Sequence, residues 1–132
     1  MDYAAAVSVI REALPGTIAV YLFGSRARGD AGGHSDVDLA VLGTAPLASL
    51  ARFELQERVA AALHAESVDL VDLRRASAVL RVQVLEHGEL LYEGDPGERA
   101  RFEVAALSAY ARLNEERKGI LQDIERTGRV HG

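Results

Sequence analysis

Tyr3, Ala6, Val7, Ile10, Ala13 and Leu14 recur at helical spacing, so residues 2–13 are expected to form a helix. Asp2 stands where an N-cap would, and Pro15-Gly16 ends the pattern. Residues 17–23 are apolar on both faces, which fits a buried central strand. The run breaks at Gly24-Ser25, where a turn and a short helical piece around residues 26–28 are expected, then a loop carrying Gly29, Gly32 and Gly33. A second apolar run over residues 36–42 is expected to pair with the first. Residues 47–65 lack a clean stripe but are rich in strong helix formers. Over residues 67–73, alternation places Asp69, Val71 and Leu73 on one face and Val68, Leu70 and Asp72 on the other. Residues 76–87 read as a helix closed by Gly88, and residues 89–93 as a short edge strand. Asp95-Pro96-Gly97 reads as a turn and the one boundary in the chain, dividing a core (1–95) from a helical extension (98–132) of the same domain. In that extension Phe102, Ala106, Tyr110, Leu113, Ile120 and Ile124 belong to a broken apolar stripe, with Gly119 marking a kink or an end and residues 128–132 a frayed tail. The stripe either packs on its own core or faces a partner chain.

Composition narrows the class. At 132 residues, 48% of them apolar, the chain is long enough to bury a core without staples. It has no cysteine, which excludes disulfides and thiolate metal sites and fits a reducing compartment. Met1-Asp2-Tyr3 begins acidic, and no apolar run approaches the roughly 20 residues of a membrane span. A cytoplasmic protein with no membrane partner is therefore expected. The net charge of −5 argues against a long nucleic-acid partner, which a basic surface would grip.

The chemistry is concentrated between the first two strands. Asp36 and Asp38 stand at alternate positions, so a strand there aims both carboxylates at one spot. Neighbouring carboxylates repel unless a cation lies between them, and they are hard oxygen ligands suited to Mg²⁺ with phosphate completing the shell. Gly24-Ser25, at the end of the preceding strand, offers backbone N–H groups and a hydroxyl to phosphate oxygens. Arg26 is the nearest guanidinium for a triphosphate. Together these parts fit a nucleoside-triphosphate site for metal-assisted nucleotidyl transfer. His34, just before the acids, reads more simply as a turn residue than as a ligand.

Gly24-Ser25, ten intervening residues and Asp36-Val37-Asp38 resemble the signature of the polymerase-beta-like nucleotidyltransferases, in particular the minimal nucleotidyltransferase (MNT) domains of HEPN/MNT toxin–antitoxin pairs. The resemblance runs through Val68-Asp69 to Leu91-Tyr92. It implies an α/β (α+β) fold, a mixed four- to five-stranded sheet flanked by helices. It also implies a third carboxylate on the strand after the second long helix. Asp69 is the stronger candidate for it and Asp72 the competitor. Mg²⁺ held by Asp36, Asp38 and Asp69, ATP held by Gly24, Ser25 and Arg26, and a HEPN-type ribonuclease toxin as partner are implied with it, the toxin receiving AMP on a tyrosine, in a hetero-oligomer through the C-terminal helix. The alternatives are an antitoxin that masks its partner without catalysis, and a transferase acting on a small molecule or an RNA end.

Overall fold

A computed structural model describes residues 1–24, 27 and 36–127. The expected helical piece at 26–28, the glycine loop, His34 and the 128–132 tail lie outside the described residues. The order is α1 (Tyr3–Ala13), β1 (Ala19–Phe23), β2 (Val37–Leu42), α2 (Ser49–Leu63), β3 (Val68–Asp72), α3 (Ala78–His87), β4 (Glu89–Glu93) and α4 (Pro96–Thr127).

The four strands form one mixed sheet in the order β3-β2-β1-β4. β1 runs antiparallel to both β2 and β4, and β2 runs parallel to β3. Alternation gives each strand two apolar faces, and each face is covered. Val20, Leu22, Leu39, Val41 and Leu70 meet Ile10 of α1 and Leu55 and Val59 of α2. On the other side Ala19, Tyr21, Ala40 and Leu42 meet Val84 of α3 and Phe102 and Ala106 of α4. A sheet enclosed in this way needs near-continuous apolar strands, which is what β1 and β2 supply.

Helix ends follow local chemistry. The Asp2 carboxylate accepts from Ala5 N–H, and Ser77 Oγ from Leu80 N–H. His64 closes α2 in the left-handed conformation (φ 53°), its N–H directed to the last carbonyls. Gly88 passes α3 directly into β4, and a Cβ there would stand 2.4 Å from Val84 O and 3.2 Å from Leu22 O, so only glycine fits.

Two expectations for the C-terminal segment are corrected. Asp95-Pro96-Gly97 is not a free turn: Asp95 Oδ1 accepts from Glu98 N–H at 3.1 Å, and Pro96 occupies the first position of α4, where its missing N–H costs nothing. Gly119 does not end the helix. It sits on an exposed face with nothing within 4 Å of a Cβ, and α4 runs on through it to Thr127, 32 residues in all and about 48 Å along the helix. The two readings of the stripe divide along its length. Phe102 and Ala106 are buried on the sheet, whereas Leu107, Ile120 and Leu121 are exposed. Arg99 fixes the packed part, donating from Nε to Tyr21 Oη at 2.9 Å and pairing with Glu93 and Glu103. Burial pushes the Tyr21 hydroxyl above the usual phenol range, while the Arg99 charge opposes that shift. Among the described residues, no helix is long and apolar enough to cross a membrane.

Candidate active site

The candidate acids lie at one end of the sheet, on the face that α3 and α4 cover. Asp38 is the second residue of β2, with Val37 and Leu39 directed into the α1/α2 core and Asp38 to the opposite face. It stands directly across from Phe23 in the β1–β2 ladder and in register with Asp69 in the β2–β3 ladder. Phe23, Asp38 and Asp69 therefore form a row across three strands, with neighbouring Cβ atoms about 5 Å apart. Asp69 is exposed, and Asp36, also exposed, lies one residue ahead of β2, where alternation continues the Asp38 face.

Gly24 follows Phe23 with φ at +73°, and a Cβ built on it would lie 2.3 Å from Asp38 Oδ2. The main chain at the end of β1 thus bends over the Asp38 carboxylate, at a distance no side chain tolerates. Backbone and carboxylate are thus brought side by side at the end of β1. Ser25 and Arg26, expected to hold the triphosphate with Gly24, lie outside the described residues.

Asp72 has a different role. Alternation turns it to the α1/α2 face, and it is 3% exposed. Its carboxylate accepts from Leu47 N–H at 2.7 Å and Arg74 N–H at 2.9 Å, tying the start of α2 to the end of β3. It shares neither face nor end with Asp38. Asp72→Ala would leave two backbone donors without their acceptor. Urea denaturation is expected to register a loss of about 2–4 kcal/mol, whereas Asp69→Asn, at an exposed position, should stay within about 0.5 kcal/mol.

Edge strand β3 is closed by side chains of α2. Leu70 N–H donates to Gln56 Oε1 at 2.9 Å, and Arg52 donates to Leu70 O at 3.1 Å. The ladder edge beside Asp69 is therefore occupied, which blocks strand addition there. Among the described residues, no group of three or more His, Cys, Asp or Glu side chains is gathered tightly enough to hold a metal ion alone.

A cleft of about 570 Å³ adjoins the row, lined by Phe23, Gly24, Ala27, Gln83 and His87. Gln83 and His87 went unnoticed in the sequence. They are one helical turn apart on a helix with no sharp apolar stripe, and only the packing of α3 against β1 brings them to the acids' end of the sheet.

The fold is that of a nucleotidyltransferase of the polymerase-beta type, and the chain belongs to the family described as Polymerase beta, Nucleotidyltransferase, which it matches over residues 9–97. Within that family it is 40% identical over 118 residues to the protein adenylyltransferase MntA of Shewanella oneidensis, a match covering 89% of this chain and 84% of that protein. It is also similar to a chain of a toxin–antitoxin complex crystallised with AMP-PNP, with TM-score 0.83, 38% identity, and coverage of 95% of this chain and 99% of that one. A third likeness is to a complex of tri-AMPylated Shewanella oneidensis HEPN toxin with MNT antitoxin, with TM-score 0.75, 36% identity and the same coverage.

Proposed function

We propose that this chain is an antitoxin that transfers AMP from ATP to a tyrosine hydroxyl of a HEPN-type toxin in the cytoplasm and so silences it. The observation that supports this most directly is the Gly24 main chain bent over the Asp38 carboxylate, in register with Asp69. A bend of this kind beside two facing acids suits a phosphate held against a cation. The relatives that this chain resembles along nearly its whole length are an adenylyltransferase and chains of toxin–antitoxin complexes.

Mg²⁺ fits the donor set. Asp36, Asp38 and Asp69 supply only hard carboxylate oxygens, and Mg²⁺ is usually held by one or two carboxylates, with phosphate and water oxygens filling the remaining positions. When bound, it neutralises charge on the phosphates and on the leaving pyrophosphate. The rest falls to the chain. Gly24, with Ser25 and Arg26, holds the triphosphate tail. Asp69, exposed at the end of the row, takes the proton of the attacking hydroxyl. The hydroxyl oxygen bonds to the α-phosphorus as the α–β phosphoanhydride bond breaks, and pyrophosphate leaves with that electron pair. The exposed apolar residues beyond the packed part of α4, Leu107, Ile120 and Leu121 among them, form the surface that holds the toxin.

The test is to incubate the protein with ATP, Mg²⁺ and a HEPN-type toxin and weigh both chains by mass spectrometry. The toxin is expected to gain the mass of one or more AMP units. Neutralisation of the toxin with no change in its mass would replace this reading with masking by contact.

A further inference from the structure

A groove of about 280 Å³ runs along the outer edge of β3, where Arg52 of α2 and Arg75, just after the strand, stand on the same opening as Asp69. We infer that this groove is an acceptor-side phosphate subsite: Arg52 and Arg75 hold the phosphodiester of an AMP already attached to the toxin, so that a hydroxyl of its ribose reaches Asp69 and accepts a second AMP. The inference rests on the transfer reading above and deepens it by giving the groove to the product of the first transfer.

Three observations carry it. The first is that both guanidiniums are anchored without being neutralised. Arg52 donates to Gln56 Oε1 and to Leu70 O, each at 3.1 Å, and Arg75 Nε donates to Leu47 O at 2.7 Å. All three acceptors are uncharged. Among the described residues neither arginine forms an ion pair, whereas Arg99, Arg101 and Arg126 each meet a carboxylate. A guanidinium fixed in this way keeps its charge and its remaining N–H groups for a phosphate.

The second observation concerns the acids of the same groove. The Asp72 carboxylate is occupied by the Leu47 and Arg74 amides, and Asp69 pairs with neither arginine. The positive charge is therefore left over for a ligand.

The third is position. β3 is the edge of the sheet, so the groove lies beyond Asp69, on the side away from Asp38 and Gly24. The triphosphate of the donor belongs to the Gly24 end and the attacking hydroxyl to Asp69, so whatever enters the groove arrives with the acceptor. An unmodified tyrosine side chain brings no anion. A tyrosine that carries AMP brings one phosphodiester, with free ribose hydroxyls on the same nucleotide. In the second transfer a ribose oxygen bonds to the α-phosphorus of a new ATP and its proton passes to Asp69. The α–β phosphoanhydride bond breaks, and pyrophosphate leaves with that electron pair.

The test is a time course with the full chain, ATP, Mg²⁺ and a HEPN-type toxin, in which mass spectrometry resolves toxin bearing none, one and two AMP units. The unaltered protein is expected to add the second unit. Arg75→Gln is expected to lower the rate of the second addition relative to the first about tenfold. Arg75→Lys, which keeps the charge, is expected to retain most of that ratio. Arg58→Gln, exposed on the same helix as Arg52 and outside the groove, is expected to leave it as it was. Arg75 is exposed and belongs to neither core cluster, so the variants should fold, and their thermal midpoints check this. An unchanged ratio in Arg75→Gln overturns the assignment. Equal slowing of both additions also overturns it and gives the arginines to an acidic segment of the toxin. A single unit added by the unaltered protein overturns it while the transfer reading stands. No AMP added at all overturns both readings.

Discussion

Asp38→Asn is expected to reduce AMP transfer to the toxin by on the order of 10³-fold or more, with the thermal midpoint of the protein changed by no more than a few degrees. Asp38 occupies the middle of the Phe23–Asp38–Asp69 row and lies under the Gly24 bend, so its charge is the one closest to every proposed participant. Asparagine keeps the shape of the side chain and removes the charge that draws the cation and its phosphates. The readout is the mass of the toxin after incubation with ATP and Mg²⁺, alongside co-purification of the two chains. Transfer should disappear while the complex persists, because the apolar face assigned to the toxin is made of α4 side chains and does not include the acids. Transfer at the original rate would remove Asp38 from the chemistry. Loss of the complex together with transfer would mean that the carboxylate serves assembly.

The second large effect is expected at a residue with no side chain. Gly24→Ala adds a methyl group at a backbone with φ +73°, which disfavours any L-residue by about 1–2 kcal/mol. That methyl would also lie 2.3 Å from Asp38 Oδ2, so either the bend opens or the carboxylate moves. Both displacements separate the phosphate cradle from the acid. The expected outcome is a destabilisation of about 2 kcal/mol or more in urea, with transfer lost to a degree comparable with Asp38→Asn. Gly119→Ala is the natural comparison. Its Cβ meets nothing within 4 Å in the exposed helix, and alanine there should stabilise by about 0.5–1 kcal/mol with transfer unchanged. If the two substitutions behaved alike, the close approach at Gly24 would have no functional weight.

Val104, Ile120 and Leu121 are 56–66% exposed, yet α4 stays one helix because its backbone bonds close within each turn and need no core beneath them. Its apolar positions therefore remain available to a second chain, whereas Phe102 and Ala106, over Tyr21 and Val84, are committed to this one.

By itself the sequence determined the local patterns: which residues alternate, where helices and strands begin and end, and that Asp36 and Asp38 follow Gly24-Ser25 at a fixed spacing. Those properties depend on the pleat of a strand and the pitch of a helix, which repeat over a few residues and can be read from spacing. The four strands, the edge position of β4 and the two-faced burial of β1 followed from it. Other features only the tertiary structure decided, because they depend on how distant segments register. Asp69 and Asp72 are both acids on one strand, and it is the parallel ladder with β2, together with the Leu47 and Arg74 amides, that sets one beside Asp38 and buries the other. The approach of Gly24 to Asp38 and the arrival of Gln83 beside Phe23 are likewise products of packing between elements far apart in the chain, which no local period records.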